Sequence, residues 1–334
     1  MVAQLDKHYV ATRPARALAR LISYACFEGR PLTTRGRWIN PLLASAGRRI
    51  ANRADAPTPD RPLFILGTGR SGTTILGKVL SMHRDVGWLN EPKLMWHLAA
   101  PFEDLNGNYT DAPARYRLDA GDASDAARQA ISNLYATYLG TTRNSRVLDK
   151  YPEMIFRIPY IKALFPDARF IFLVRNGMDT CLSVSAWSDR HGATTSGERS
   201  EPAADWWGVG RRKWSLLIDQ LLEDNSALAP HKEALRQLNN QTDMAAVEWI
   251  LTMREGLRHM RSDAESFCMV RYENLTNAPD SELRRLLAFC QLEDDPVLRD
   301  YGERVLRAAP PKPAVALDER LSGEFSAVMR ELGY

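Results

Sequence analysis

The segment that most constrains the fold of this chain is a run of glycine, serine and threonine at residues 67–74 (GTGRSGTT). It follows the apolar run 61–67 (RPLFILG), which predicts a buried strand, and it precedes a predicted helix at about 73–82. Between a strand and a helix, glycines let backbone N–H groups curl around an anion, and the helix N-terminus adds its dipole. The sequence therefore predicts a phosphate-binding loop.

This loop departs at one position from GxxxxGK[ST], the pattern of nucleotide triphosphatases. Gly67 and Gly72 have the required spacing, but Thr73 stands where the pattern has lysine, and the positive charge lies at Arg70 instead. That lysine normally reaches the β- and γ-phosphates, so its loss suggests a donor with a different terminal group. A kinase-like phosphotransferase of the same fold is the alternative.

Other short apolar segments indicate strands, at 146–149, 169–174 and 267–271. Apolar residues at helical spacing predict helices between these strands and after the last strand. These helices lie at about 125–140, 153–165, 177–187, 206–222, 242–261, 280–290 and 318–332. Strands that alternate with helices predict a parallel sheet with helices on both faces. The expected fold class is therefore α/β.

A second element suited to phosphate follows the apolar run 169–174. Arg175 ends that strand and Ser183 lies eight residues later, about two turns along the next predicted helix. An arginine at a strand end can bind a phosphate through two hydrogen bonds, and a serine can add a hydroxyl. Asp179 could orient the arginine or cap the helix, and an ordinary surface ion pair is the alternative.

Together these two elements resemble sulfotransferases that use 3′-phosphoadenosine-5′-phosphosulfate (PAPS). Residues 70–74 (RSGTT) are similar to that family's 5′-phosphosulfate loop, and 175–183 to its 3′-phosphate element. Residues 148–152 (LDKYP) and 270–275 (VRYENL) support the resemblance, which covers roughly 62–292 and is nearest to the bacterial and tyrosylprotein-type branch. It implies the P-loop nucleotide-hydrolase-like fold of that family.

The resemblance also implies residue roles. Arg70 would contact the sulfuryl group or bridging oxygen, Lys150 would stabilise the sulfuryl oxygens, and Tyr272 would lie near the adenine. The phosphates would be held by Ser71, Gly72, Thr73 and Thr74 on the 5′ side, and by Arg175 and Ser183 on the 3′ side. The late Arg-Lys-Gly stretch of many cytosolic members is absent. Its contact is therefore either missing or supplied by Arg211, Arg212 or Lys213.

An acceptor hydroxyl that attacks sulfur must pass its proton to a base. Glu91 follows the phosphate-loop helix by a short turn and matches the base glutamate of the tyrosylprotein-type branch, while His97 is the alternative. Trp206, Trp207 and Trp214 are candidates for the acceptor site, with core packing an equal alternative for the last two. No metal-ligand spacing of acidic residues and histidines occurs, so we expect no metal.

The chain divides into a basic helical N-terminal arm at 1–60 and a sulfotransferase domain at 61–334. The first 53 residues hold ten Lys and Arg against two Asp and Glu, whereas the whole chain has a formal net charge of +3. Residues 13–27 and 40–52 have helical apolar spacing with arginines between. Either both helices pack on the domain with a solvated basic face, or the arm lies on an anionic membrane.

The location and partners follow from weaker signals. No apolar run approaches the ~18 residues of a spanning helix, and the start lacks the design of a signal peptide. We expect a cytoplasmic protein, peripheral at the inner face of the membrane if the arm binds lipid. The acceptor is expected to be a small molecule, glycan or lipid, and nucleic acid is not expected. The sequence does not determine the oligomeric state.

The resulting hypothesis is an enzyme that moves a sulfuryl group from PAPS, as co-substrate, to a hydroxyl or amine acceptor with a carboxylate base, giving 3′-phosphoadenosine-5′-phosphate (PAP) and a sulfated product. The alternatives are the kinase-like phosphotransferase and a non-catalytic, nucleotide-binding, membrane-associated protein.

Overall fold

The computed structural model of this protein describes residues 2–31, 36–54, 57–191, 204–310 and 312–334. Its centre is a five-stranded parallel sheet with the strand order β2-β3-β1-β4-β7, beside a small antiparallel ribbon of β5 and β6. The strands are β1 (Leu63–Gly67), β2 (Val86–Asn90), β3 (Arg146–Lys150), β4 (Arg169–Val174), β5 (Ala204–Asp205), β6 (Gly208–Val209) and β7 (Phe267–Arg271). The expected α/β fold is confirmed.

Helices cover both faces of the sheet. They are α1 (Lys7–Thr12), α2 (Pro14–Ile22), α3 (Asn40–Ala51), α4 (Thr73–Leu80), α5 (Lys93–Ala99), α6 (Asp125–Thr142), α7 (Ile158–Leu164), α8 (Gly177–His191), α9 (Arg212–Leu221), α10 (Lys232–Arg236), α11 (Gln241–Ser262), α12 (Tyr272–Asn277), α13 (Pro279–Phe289), α14 (Pro296–Val305) and α15 (Glu319–Leu332). No helix in these described ranges is both long and apolar enough to cross a membrane.

Successive residues of β1 point to opposite faces of the sheet, as strand geometry requires. Phe64 and Leu66 belong to the larger core, which includes residues of α6, α11 and α15. Leu63 and Ile65 belong to the smaller core, beneath α4, α13 and α14. Both faces of β1 are thus buried, which explains why its sequence is continuously apolar rather than alternating.

Parallel pairing places the carboxyl ends of four strands at one edge of the sheet. Ile65 lies opposite Lys150 between β1 and β3, Asn90 lies opposite Lys150 between β2 and β3, and Gly67 lies opposite Leu173 between β1 and β4. The loops that follow these strands therefore meet, and in open α/β sheets ligands bind at this edge.

Three local expectations differ from the structure. Residues 86–90 form an edge strand where we expected a turn, because their pairing with β3 is not visible in five residues that include Gly87. The helix expected from 153 is a 3-10 helix at Pro152–Arg157 followed by α7, with Pro159 in the first turn of α7. The helix expected from 206 begins only at Arg212, because the chain before it forms the ribbon β5–β6.

Helix α2 of the N-terminal arm packs with its arginines toward the domain. Arg16 donates to the carbonyl oxygen of Val86 (3.2 Å) and Arg20 to that of Trp88 (3.3 Å). Leu18 and Leu21 are instead 61% and 40% exposed. The expectation of a solvated basic face is wrong for these two arginines, because the outward carbonyls of an edge strand need donors.

Candidate active site

The glycine-rich loop joins β1 to α4, and its shape depends on two glycines. Gly67 has φ +142°, and a Cβ there would lie 2.5 Å from the carbonyl oxygen of Leu173. Gly72 has φ +104°, and a Cβ there would lie 2.5 Å from the ring of Tyr272. Only glycine adopts these conformations without cost, so the chain can turn directly into the helix N-terminus. The Tyr272 ring consequently covers this loop.

Within the loop, the side chain of Ser71 stabilises the turn. Its hydroxyl donates to the carbonyl oxygen of Thr68 (2.7 Å), and its backbone N–H donates to the same oxygen (3.3 Å). Arg70 has φ +69° and is exposed at the tip of the loop. The loop is therefore shaped before any ligand binds, with a cation at its tip and the start of α4 behind it.

A cavity of about 350 Å³ opens in front of this loop. The residues predicted for catalysis and for the 5′ side of the donor that line it are Arg70, Thr73, Thr74, Glu91 and Lys150. They come from the loop after β1 and the first turn of α4, from the loop after β2 and from the end of β3. The parallel register of the sheet, described above, is the reason that residues so distant in sequence share one cavity.

Glu91 and Lys150 form an ion pair in this cavity. The Lys150 Nζ lies 2.5 Å from the Glu91 Oε1, and Lys93 approaches the other oxygen at 3.8 Å. Burial alone would raise the pKa of Glu91, but the ammonium groups of Lys150 and then Lys93 outweigh it and lower this pKa below its usual value. Glu91 is thus ionised at neutral pH, as a proton acceptor must be.

Arg175, at the end of β4, lies against the same loop. Its Nη1 donates to the carbonyl oxygen of Arg70 (3.4 Å), and its guanidinium carbon lies 4.5 Å from the ring centroid of Tyr272. Its Nε is buried and has no hydrogen-bond partner in the described ranges. Asp179 approaches its Nη2 only at 3.8 Å. A guanidinium held in this way can still donate to an anion.

Ser183 lies on α8, the helix that begins two residues after Arg175, and it is half-buried. The structure therefore joins Arg70, Arg175 and Tyr272 by direct contacts and places Ser183 on the adjoining helix. Arg175 and Ser183 are not among the residues that line the cavity containing Glu91, so the predicted 3′ element lies outside that cavity.

The sequence did not reveal a lysine that the structure brings to this element. The backbone N–H of Lys312 donates to the Asp179 Oδ1 (2.9 Å), in the segment between α14 and α15. Burial is the largest cause that lowers the pKa of Lys312, and the charge of Arg175 is the next. Arg70 and Arg190 lower the same pKa further. The Lys312 side chain thus lies within electrostatic range of Arg70, Arg175 and Arg190, and its only sequence signal is its position between prolines.

Arg211, Arg212 and Lys213, the residues considered as substitutes for the missing stretch, are bound elsewhere. Arg211 donates to the Oδ1 of Asn239 (2.6 Å), and Arg212 donates to the carbonyl oxygen of Ala112. Lys213 is buried and paired with Glu153 and Glu248. Lys312 therefore stands closer to the 3′ element than any of these three.

The far side of the cavity is formed by a buried network of charges. Lys213 Nζ lies 2.6 Å from Glu248 and 3.2 Å from Glu153, and Trp206 donates its indole N–H to Glu248 (2.7 Å). Burial would raise the pKa of Glu153, but Lys213 and then Lys93 lower it to about 2. Burial would lower the pKa of Lys213, but Glu248 and other neighbours raise it well above its usual value, so Glu153 and Lys213 are both charged at neutral pH.

Of the three tryptophans considered for the acceptor site, Trp206 lines the cavity and covers Gly69, where a Cβ would lie 2.4 Å from its ring. Trp207 and Trp214 pack in the core. His97, the alternative base, lines a separate neighbouring cavity and packs against Tyr109. Glu91 is thus the candidate base that shares a cavity with Arg70.

Taken together, the geometry supports transfer of an anionic group to a nucleophile. A carboxylate, a buried ammonium and an exposed arginine side chain converge in front of a loop whose N–H groups and hydroxyls suit a phosphate. In the described ranges no group of three or more His, Cys, Asp or Glu side chains could hold a metal ion.

The chain is similar in sequence to several known proteins. The family model described as "Sulfotransferase family" matches residues 62–296. Nodulation protein NoeE of Sinorhizobium fredii is 27% identical over 232 residues, which are 67% of this chain and 48% of that protein. Protein-tyrosine sulfotransferase 1 of Danio rerio is 29% identical over 147 residues, 41% of this chain and 40% of that protein.

This chain spans about half or less of the length of the curated relatives it matches. Among solved structures, sulfotransferase STF9 from Mycobacterium avium superposes with a TM-score of 0.47 at 17% identity, covering 98% of this chain and 91% of that one.

Proposed function

This chain belongs to the sulfotransferase family, and from that premise we propose that it transfers a sulfuryl group from PAPS to an acceptor hydroxyl, releasing PAP. One observation carries the proposal: the predicted base, the predicted sulfuryl-binding cations and the phosphate loop line a single cavity. Arg175 of the 3′ element contacts the phosphate loop at the carbonyl oxygen of Arg70. This arrangement suits a donor with a phosphate at each end and a transferable group at the loop.

The proposed reaction is an in-line displacement at sulfur. The acceptor oxygen forms a bond to sulfur while the bond from sulfur to the phosphate oxygen of PAPS breaks, and PAP leaves with that oxygen. Glu91 takes the acceptor proton. Arg70 and Lys150 stabilise the negative charge that develops on the sulfuryl and leaving oxygens, as fixed cations do in phosphoryl transfer.

The donor contacts divide between the loop and the 3′ element. Ser71, Gly72, Thr73 and Thr74 would bind the 5′-phosphate through the helix N-terminus and hydroxyls. Arg175, Ser183 and Lys312 would bind the 3′-phosphate. Tyr272, which contacts both Gly72 and Arg175, lies between the two groups and would pack near the adenosine.

We propose a polar acceptor that carries several hydroxyl groups, with a glycan as the favoured class. The cavity offers charges and amides at Glu153, Lys213, Asn106, Asn108 and Asp205, beside apolar side chains that include Trp187 and Pro152. Trp206 provides a flat ring beside them, and aromatic rings in binding sites commonly pack on an apolar face of a ligand while polar groups fix its orientation.

The membrane contact of the arm also belongs to the proposal. Five of the seven exposed large apolar side chains in the described ranges lie in this arm: Val10, Leu18, Leu21, Trp38 and Leu42. Arg48 and Arg49 of α3 are exposed on the same arm. Exposed apolar and basic side chains together suit the surface of an anionic bilayer, at the cytoplasmic face.

The donor is tested by calorimetric titration of PAP into the protein without magnesium, with ATP and magnesium as the comparison. We expect PAP to bind, and Arg175→Ala and Ser183→Ala to weaken it. Binding of ATP with magnesium but not PAP would favour the kinase-like phosphotransferase and refute this proposal.

The acceptor class is tested with [³⁵S]PAPS and three probes, namely methyl glycosides, 4-nitrophenol and a tyrosine-containing peptide. Preference for the glycosides is expected from the charges and amides of the cavity. PAP binding without turnover on any probe or on water would favour a non-catalytic nucleotide-binding protein.

A further inference from the structure

The outer edge of β2 is closed by side chains of the N-terminal arm instead of another strand. The N–H and C=O groups of successive residues in a strand point to alternate sides. Those of residues 87 and 89 point toward β3, so those of residues 86, 88 and 90 point outward. The arm meets all three. Arg16 and Arg20 donate to the carbonyl oxygens of Val86 and Trp88, and the Glu28 Oε1 accepts the backbone N–H of Asn90 (2.8 Å).

Glu28 itself is held rigidly by Arg20. The two side chains form two hydrogen bonds, of which Nη2 to Oε2 is 2.9 Å, and they are 4% and 3% exposed. Arg20 also donates to the carbonyl oxygen of Ala3 (3.1 Å) and to the Oε1 of Gln4 (2.7 Å), and its guanidinium lies over the ring of Trp88. A buried carboxylate with so many fixed neighbours has one position available.

The residue after Asn90 is the candidate base, in an unfavourable backbone conformation. Glu91 has φ +55°, in the left-handed region, and it precedes a proline. Such a conformation persists only where the surroundings impose it. On its C-terminal side, Glu91 N–H donates to the carbonyl oxygen of Lys150 and Lys93 N–H to that of Glu91, each at 2.7 Å.

On the N-terminal side, the hydrogen bond from Asn90 to Glu28 holds the outer edge of the strand end, whose inner edge pairs with β3. We propose that Glu28 is a positioning residue for sulfuryl transfer: it holds the end of β2 so that the Glu91 carboxylate stays against Lys150 in the cavity. The effect of Glu28 on turnover rests on the proposed function, whereas its hydrogen bond with the Asn90 N–H does not. The arm then forms part of the scaffold of the active site.

The test compares two double variants that differ only in the acceptor atom at position 28. Arg20→Met with Glu28→Gln keeps an oxygen for the Asn90 N–H, whereas Arg20→Met with Glu28→Met removes it. Neither leaves a buried charge without its partner, which guards against simple failure to fold. Arg16→Gln is the matched control, because it removes a bond from the same helix to the far end of the same strand.

We measure kcat and the KM for PAPS with the best of the three acceptor probes, or with water if none reacts. The Glu28→Met double variant is expected to lose about 10- to 100-fold in kcat relative to the Glu28→Gln double variant, because small displacements of a catalytic group cost this much. The PAP affinities of the two double variants should agree within about twofold, since the phosphate loop follows β1 and not β2. Arg16→Gln should retain kcat while lowering stability.

Two readouts do not depend on turnover. Hydrogen exchange at the Asn90 amide should accelerate only in the Glu28→Met double variant, and the pKa of Glu91, read by carbon NMR, should rise as its contact with Lys150 loosens. Failure of PAP to bind the unmodified protein would therefore refute the proposed function without affecting these two measurements.

Unchanged exchange at Asn90 would overturn the proposed role of Glu28. Equal kcat in the two double variants would overturn it as well. A parallel loss of PAP affinity, or the same kcat loss in Arg16→Gln, would show that the arm supports the fold in general rather than the base.

Discussion

Replacing Glu91 with glutamine tests the proposed base with little change in shape. Glutamine keeps an oxygen near the Lys150 Nζ, which lies 2.5 Å from Glu91, but it cannot take a proton. General-base catalysis contributes about 10²- to 10⁴-fold, so we expect kcat to fall by about 1,000-fold. That loss corresponds to about 4 kcal/mol of activation free energy.

The accompanying loss of stability is much smaller. Lys150 is 2% exposed and the Glu91 side chain 39% exposed, so solvent already weakens their attraction. Breaking a fully buried pair costs about 3–5 kcal/mol. With Glu91 half-exposed and one hydrogen bond retained, we expect about 1 kcal/mol. A domain with about 5–15 kcal/mol of stability stays folded after that loss, so unfolding cannot explain a 1,000-fold fall in kcat.

The sign of the pH dependence follows from the lowered pKa of Glu91. A carboxyl with a pKa lower in the folded state stabilises the protein above its unfolded pKa, and this contribution is lost as the pH falls through the folded pKa. Turnover of the unmodified protein should therefore decline only at pH values below the usual glutamate range. In Glu91→Gln, neither the stability nor the turnover should show the pH dependence that arises from this carboxyl.

The assay is [³⁵S]PAPS turnover from acidic to neutral pH, with urea unfolding and PAP titration on each variant. Glu153→Gln is the comparison, since Glu153 lines the same cavity and also pairs with a lysine. We expect its effect mainly in the KM for the acceptor. The reasoning is refuted if Glu91→Gln retains kcat, if PAP affinity falls in parallel with kcat, or if Glu153→Gln causes the larger kcat loss.

Three further predictions follow from contacts in the structure. Lys312→Ala should weaken PAP binding by about 10- to 100-fold, since one hydrogen bond to a charged group contributes about 1.5–3 kcal/mol, whereas Lys232→Ala on α10 should not; equal titrations would remove Lys312 from the 3′ element. Leu18→Glu combined with Trp38→Glu should reduce co-sedimentation with phosphatidylserine vesicles and leave PAP binding intact, and unchanged sedimentation would exclude these side chains from a membrane contact. Burial raises the pKa of Asp149 to about 7, so the unmodified protein loses stability as the pH rises from about 4 to 7. The stability of Asp149→Asn minus that of the unmodified protein should therefore be about 1–3 kcal/mol larger at pH 8 than at pH 5. A difference that does not change with pH would contradict the raised pKa.

Local sequence patterns were sufficient for most elements of the sheet and its helices. The apolar runs that became β1, β4 and β7 are buried on both faces, so each is recognisable without knowledge of its neighbours. The edge strand β2 was missed, because its stability comes from pairing with β3 and from side chains of the arm more than 60 residues away in sequence.

The same distinction holds for the candidate site. The glycine-rich loop is one continuous segment whose glycines are required by its own backbone geometry, so its position between β1 and α4 could be predicted from the sequence. Lys312 was not identified, because nothing near it in sequence indicates phosphate binding, and only the docking of its segment on Asp179 brings it to Arg175.

The sequence by itself determined the α/β fold and the glycine-rich turn between β1 and α4, because these depend on local periodicity and backbone geometry. Only the tertiary structure decided that Glu91 pairs with Lys150, that the arginines of α2 face the sheet and that Glu28 reaches Asn90. Those contacts join segments that are distant along the chain, and they form because buried charges and the open edge of a strand need partners.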